Sequence, residues 1–178
     1  EFTVVRKLGQ GPNGTVYVCK RGDDELTVKL LHNAAIHDKS AVYRYLTRNR
    51  MLAAVDHDNL PGSLEAGIIE RTPFVGYASV DAKPLAPRIA RTGALHINEA
   101  RALMHGLLQA LKAIHDANVV HGALKLENVL VAKGDDGPKV YLVDAGGDLL
   151  RSSWVHSDVG QGGGDRIKGM APEQLQGH

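Results

Sequence analysis

The chain has 178 residues, 43 % of them hydrophobic, enough for one domain with a real core. Its 21 basic and 20 acidic residues leave a net charge of +1, so charge points to neither nucleic acid nor a membrane surface as a partner. The apolar runs are too short to span a bilayer, and the single cysteine, Cys19, excludes an internal disulfide and fits a reducing, cytoplasmic setting.

The first third reads as strands. Phe2 to Leu8 and Thr15 to Lys20 flank a glycine-rich turn, and Leu26 to Leu31 follows the turn residues Gly22, Asp23 and Asp24. Asp38 or Ser40 caps a predicted helix that runs to about Val55, with Val42, Tyr45, Leu46 and Leu52 toward one side. Two further strands are predicted around Leu64 to Ile69 and Phe74 to Val80. Pro84 and Pro87 mark a linker. The second half opens with a strongly periodic helix, N-capped at Asn98. Ala100, Leu103, Met104, Leu107, Leu108, Leu111 and Ile114 form its apolar stripe. Short strands are predicted at Val129 to Ala132 and Val140 to Val143. Beyond Asp144 the chain turns polar and glycine-rich up to Met170, as a loop does. The chain lacks an initiator Met and a secretory leader, and reads as a piece of a longer protein. There is no internal repeat.

Five motifs occur in one order: LGQGPNGTVYV, LTVKLL, HGALKLENVLV, VDAGGDLL and MAPEQL. A lone Gly-x-Gly-x-x-Gly is a weak signal. The residues after Gly14 are β-like, which favours a hairpin over phosphates rather than a strand-turn-helix dinucleotide site. Together, the five motifs resemble a bacterial-type Ser/Thr protein kinase domain over nearly the whole chain. The resemblance implies an α+β, two-lobed fold. Residues 1–80 would form an N-lobe, a five-strand antiparallel sheet plus one helix. Residues 81–178 would form a partial, mainly helical C-lobe ending just after the Ala-Pro-Glu motif.

The same resemblance implies site roles. Gly9, Gly11 and Gly14 would approach ATP phosphates, and Lys29 would contact them. Val16 and Leu130 would hold the adenine from above and below, with Ala78 and Val80 along its edge. Asn128 and Asp144 would be magnesium ligands. The cofactors implied are ATP and Mg2+, with no cofactor as the alternative.

Against this stand the departures. The catalytic-loop pattern His-Arg-Asp reads His121, Gly122, Ala123, so no catalytic residue is assigned. Counting back from Asp58 and Asn59, the helix-glutamate position falls on Arg48, and no acidic residue occurs from Lys39 to Val55. Ala145 stands for the Phe of Asp-Phe-Gly. Tyr77 guards the back of the pocket or is a packed strand aromatic, and Thr27 replaces an alanine over the adenine. Asp148 and Asp116 read as solvated residues rather than a relocated base. Expected, therefore, is a pseudokinase, not an enzyme: a regulatory or scaffolding module for signalling that binds ATP. The alternatives are a weak protein kinase or AMP-transferring enzyme, and a structural domain that binds no nucleotide. A protein partner or self-association would cover apolar surface left on the periodic helix. Ser152, Ser153, Ser157 and Trp154 fall in the loop as modification or docking candidates. A larger membrane protein with this chain as its cytoplasmic part remains open.

Overall fold

The computed structural model describes residues 2–150 apart from 37 and 136, and residue 172. The sites expected at Ser152, Ser153, Trp154 and Ser157, the loop to Met170, and all but Pro172 of the Ala-Pro-Glu motif lie outside the described residues.

Five strands form one antiparallel sheet in the order β1-β2-β3-β5-β4. They are β1 (Thr3–Gln10), β2 (Gly14–Arg21), β3 (Asp24–Leu31), β4 (Ser63–Ile69) and β5 (Thr72–Ala78). The β2–β3 hairpin turns at Gly22, whose φ of +64° suits a residue without Cβ. A second close approach demands glycine at Gly14, where a Cβ would sit 2.4 Å from the Leu30 carbonyl oxygen.

Helix α1 (Lys39–Leu52) begins at Asp38, whose carboxylate accepts the N–H groups of Ser40 at 2.9 Å and Ala41 at 3.1 Å. Its buried side carries Ala41, Val42, Tyr45, Leu46 and Asn49. Val42, Tyr45 and Leu46 pack with Leu31, Ala66 and Val75 of the sheet. Leu150 joins the same cluster, so the chain that follows Asp144 is rooted beneath α1.

The second unit holds α2 (Leu85–Thr92), α3 (Ile97–Asp116) and a small sheet ordered β6-β7-β8. Its strands are β6 (Lys83–Pro84), β7 (Val129–Gly134) and β8 (Gly137–Leu142). Leu85, Leu103, Ala110, Ile114, Val119, Val129, Val140 and Leu142 make its core.

Two expectations need correction. The stretch around Pro84 and Pro87 is not a linker but the start of α2, because the first helical turn needs no N–H donors and tolerates proline. The cap of α3 is His96 rather than Asn98, with the His96 ring accepting the Asn98 N–H at 3.4 Å. The α3 stripe also splits. Leu103, Ala110 and Ile114 are buried, while Met104 and Leu108 are more than half exposed, at 54 % and 57 %. Among the described residues, no helix is long and apolar enough to cross a membrane.

Gly106 tests the α3–β8 packing. Alanine in a helix interior normally stabilises by ~1 kcal/mol. Here its Cβ would lie 2.6 Å from Val140 Cγ1 and 3.0 Å from Asn59 Nδ2. The overpacking cost of ~1–3 kcal/mol should win, so Gly106→Ala should lower Tm by ~2–4 °C in thermal unfolding. A raised Tm would contradict this packing.

Candidate functional site

The site lies where α1 and the β-sheet meet the segment from Asp144 to Asp148. Strand register sets it up. Lys29 on β3 pairs with Val16 on β2 and Val75 on β5, at the middle of the sheet. The Lys29 ammonium forms a salt bridge with Asp144 Oδ1. The two side chains are only 10 % and 20 % exposed, so the pair is weakly screened. Asp144 adopts a φ of +64°, in the left-handed region that costs a non-glycine residue energy. Its neighbours therefore hold it against a local preference.

Tyr45, not Arg48, is the α1 residue that faces this pair. Its ring centroid lies 5.8 Å from Lys29 Nζ, and its hydroxyl lies 3.4 Å from Asp144 Oδ1. One turn on, Asn49 Nδ2 donates to the Tyr45 carbonyl at 2.8 Å and to the Ala145 carbonyl at 3.2 Å. The Tyr77 hydroxyl reaches Asn49 Oδ1 at 3.4 Å. Burial raises the pKa of both tyrosines, with the Asp144 charge adding to it, so both keep their protons as donors. Tyr77 is thus part of a polar network and not only a packed strand aromatic. A cavity of about 20 Å³ beside Ala145, bordered by Asn49, Tyr77 and His121, has room for a water.

Arg48 takes a different partner. Its guanidinium bonds Asp148 Oδ1 at 3.1 Å, the two side chains being 22 % and 28 % exposed. Asp148 is therefore not the solvated loop residue that the sequence suggests. Its carboxylate fills the space beside Gly122, where an added Cβ would meet Asp148 Oδ1 at 2.3 Å. Gly122 has a φ of +69° as well. A side chain at 122 would thus have to adopt a positive φ and displace the Asp148 carboxylate. Asp116 is the exposed residue expected, paired with Lys112 one turn earlier.

The catalytic-loop motif folds around His121. Its Nε2 lies 3.0 Å from the Val143 carbonyl, and its Nδ1 accepts the Ala123 N–H at 3.3 Å. A carbonyl can only accept, so the proton sits on Nε2. Asn128 Nδ2 donates to the Ala123 carbonyl at 2.8 Å, and the Asn128 carbonyl accepts the Val143 N–H at 3.0 Å. The second bond ties Asn128 to the residue before Asp144. Ala123 itself is buried.

The remaining expected residues spread around the cleft. Gly9 and Gly11 have open space where a Cβ would go, whereas Gly14 is tight against β3. Asn13, at the loop tip, donates to the Gly147 carbonyl at 3.3 Å and so spans the cleft. Sequence reasoning missed Asn13 because nothing in its type marks a long-range contact. Leu130 on β7 pairs with Pro84 and Tyr141. The Ala78 N–H donates to the Gly62 carbonyl at 2.9 Å, and the Val80 carbonyl accepts the Ala82 N–H at 2.9 Å, beyond the end of β5. Among the described residues, no group of three or more His, Cys, Asp or Glu could hold a metal alone.

Comparison with known proteins places this geometry. The protein kinase domain family matches residues 2–153. Serine/threonine-protein kinase pkn2 of Myxococcus xanthus is 28 % identical over 162 residues, covering 90 % of this chain and 19 % of the relative. Serine/threonine-protein kinase PrkC of Bacillus subtilis is 23 % identical over 178 residues, covering 99 % of this chain and 27 % of the relative. The chain thus spans about a fifth to a quarter of these relatives' length. The crystal structure of the Mycobacterium tuberculosis PknI kinase domain shares the fold at a TM-score of 0.74 and 24 % identity, covering 82 % of this chain and 59 % of that one. These findings overturn the expectation, drawn from Ala123, that the chain is not an enzyme. The similar proteins are named protein kinases. A missing base also removes only part of the catalysis, because phosphoryl transfer rests mainly on positioning and electrostatics.

Two outcomes test the site. Lys29→Met leaves the part-buried Asp144 without its cation and should cost ~1–3 kcal/mol, while Lys29→Met with Asp144→Asn should cost less than the two single changes summed, in denaturant titrations. Burial pushes the His121 imidazole below its ordinary 6.5, and Arg48 adds to this, against the Val143 carbonyl, Asp144 and Asp148. The unfolded state then binds the proton more readily. His121's contribution is complete above the unfolded pKa and is lost as pH falls below it. Thermal unfolding between pH 8 and 5 should show Tm falling on the acid side, with a flatter profile in His121→Phe.

Proposed function

The chain belongs to the protein kinase domain family, and from that premise we propose that it binds ATP with Mg2+ and transfers the γ-phosphoryl group to a protein hydroxyl at a reduced rate. The observation that carries this reading is the Lys29–Asp144 ion pair, set on a central strand, with the Asn128 carbonyl bonded to the N–H of the residue before Asp144. In this reading Lys29 turns to the phosphates, while Gly9 and Gly11 leave room for them beneath the loop. Val16 and Leu130 enclose the adenine, with the backbone of Ala78 to Val80 along its edge. Asp144 and Asn128 would hold the metal. Magnesium, when bound, neutralises charge developing on the phosphates.

The acceptor oxygen attacks the γ-phosphorus and the bond to the β-phosphate oxygen breaks, releasing ADP. The hydroxyl proton leaves to water or to the transferred group, since Ala123 offers no carboxylate. A positioned base is worth about 10²- to 10⁴-fold, and the rate is lower by that order.

A regulatory output is favoured by the contacts across the cleft. Lys29–Asp144 and Asn13–Gly147 both bridge the places where phosphates would lie. Nucleotide arrival therefore releases Asn13 from Gly147 and shifts the Gly147–Asp148 stretch, which reports to α1 through Arg48. The domain then acts as a nucleotide-dependent signalling module as well as a slow transferase.

Thermal unfolding with ATP, with and without Mg2+, is the direct test. Ligand at about 100 times its Kd should add ~2.7 kcal/mol, a Tm rise of ~5–10 °C. Labelled phosphate should pass to a generic protein substrate slowly and vanish in Lys29→Met. No Tm shift at saturating nucleotide would sink the reading.

A further inference from the structure

Asp144 Oδ1 is held twice, by the Lys29 ammonium and by the Tyr45 hydroxyl. Its other oxygen, Oδ2, faces Gly147, lying 3.4 Å from the position of a Cβ there. The same Cβ position lies 3.3 Å from Ala123 Cβ. Oδ2 is thus turned to the loop side of the cleft, where Asn128 is bonded to Ala123. The two oxygens have different jobs: one is gripped from the α1 side and the other is presented.

The grip has an order of release. Lys29 is a flexible cation, and polyphosphate competes for it directly. Tyr45 is fully buried, and its neutral hydroxyl offers phosphate no charge. Its backbone is fixed by Asn49, which also holds the residue after Asp144. Tyr45 therefore cannot follow Lys29 toward a ligand.

We propose that Tyr45 is a positioning residue for metal-bound nucleotide, its hydroxyl keeping Asp144 Oδ1 in place once phosphates draw Lys29 away, so that Oδ2 stays aimed at the metal. This rests on the nucleotide-binding reading above and adds a residue to it. A carboxylate in the place of Tyr45 would compete with the phosphates for Lys29. A hydroxyl does not, and it still donates a hydrogen bond to Asp144.

The test separates a positioning role from packing. Tyr45→Phe keeps the ring and removes the donor. Calorimetric titration with ADP, in Mg2+ or in a chelator, gives two affinities for each protein. One hydrogen bond to a charged group corresponds to roughly a 10-fold change or more. Tyr45→Phe should weaken ADP binding about 10-fold with Mg2+ and leave the metal-free affinity unchanged. In an Asp144→Asn background the same change should have no further effect on either. Equal weakening with and without metal would mean packing alone and would overturn the proposal, as would no weakening at all. If Tyr45→Phe melts too low to titrate, 3-fluorotyrosine at 45 supplies a stronger donor of nearly the same shape. It should tighten binding only with Mg2+, and a metal-independent change would again overturn the role. Wild-type protein that binds no ADP with Mg2+ would overturn the nucleotide reading itself, a result distinct from intact binding that ignores Tyr45.

Discussion

The part-buried pair between Lys29 and Asp144 is the constraint on which the rest of the site depends. Drawing each charge partly out of water disfavours it, and the opposite charge at contact distance offsets that. The pair joins a central strand of the sheet to a segment that follows the second unit, more than one hundred residues later in sequence. Its position fixes what lies around it. Asp144 must adopt a left-handed backbone to present its carboxylate, and the chain after it must turn sharply, through Gly146 at φ +81°.

That turn explains the crowding by α1. Tyr45, Arg48 and Asn49 lie on consecutive turns of one helix face, and each holds a different atom of the segment: a carboxylate oxygen, the Asp148 side chain and the Ala145 carbonyl. Leu150 then enters the core under the same helix. The helix carries no acidic residue, so its grip is made of a neutral hydroxyl, an amide and a cation. The charge that the lysine requires comes from Asp144 alone among the described partners. The second ion pair, Arg48–Asp148, runs with the same polarity, its anion again on the segment and its cation on the helix. It also occupies the space that a longer residue at 122 would need.

Seen this way, the departures in the catalytic loop are linked. Gly122 leaves room for Asp148, and Asp148 satisfies Arg48. Ala145 leaves a small cavity edged by Asn49, Tyr77 and His121, groups with hydrogen-bonding capacity. His121 keeps both of its hydrogen bonds and so keeps the loop's shape even though Ala123 contributes only its backbone to it. The loop retains its architecture while losing one carboxylate.

Much of this was legible in the sequence because it depends on local pattern. Apolar, β-leaning runs beside turn residues marked the strands of the sheet. The 3.6-residue stripe marked α3, and five motifs in order pointed to the family that residues 2–153 match. What the sequence could not supply was register across long separations. Counting along α1 put Arg48 opposite Lys29, whereas the packed helix turns Tyr45 inward, because a buried aromatic beside Leu46 and Val42 gains more from the core than a guanidinium would lose there. Likewise Asp148 looked like a solvated loop residue until the fold put Arg48 and Gly122 against it. Local chemistry, then, specified the elements and the motif residues. Which side chains meet across the cleft was decided only by tertiary packing, since contacts between residues a hundred positions apart depend on how the two units close together and not on any pattern within either.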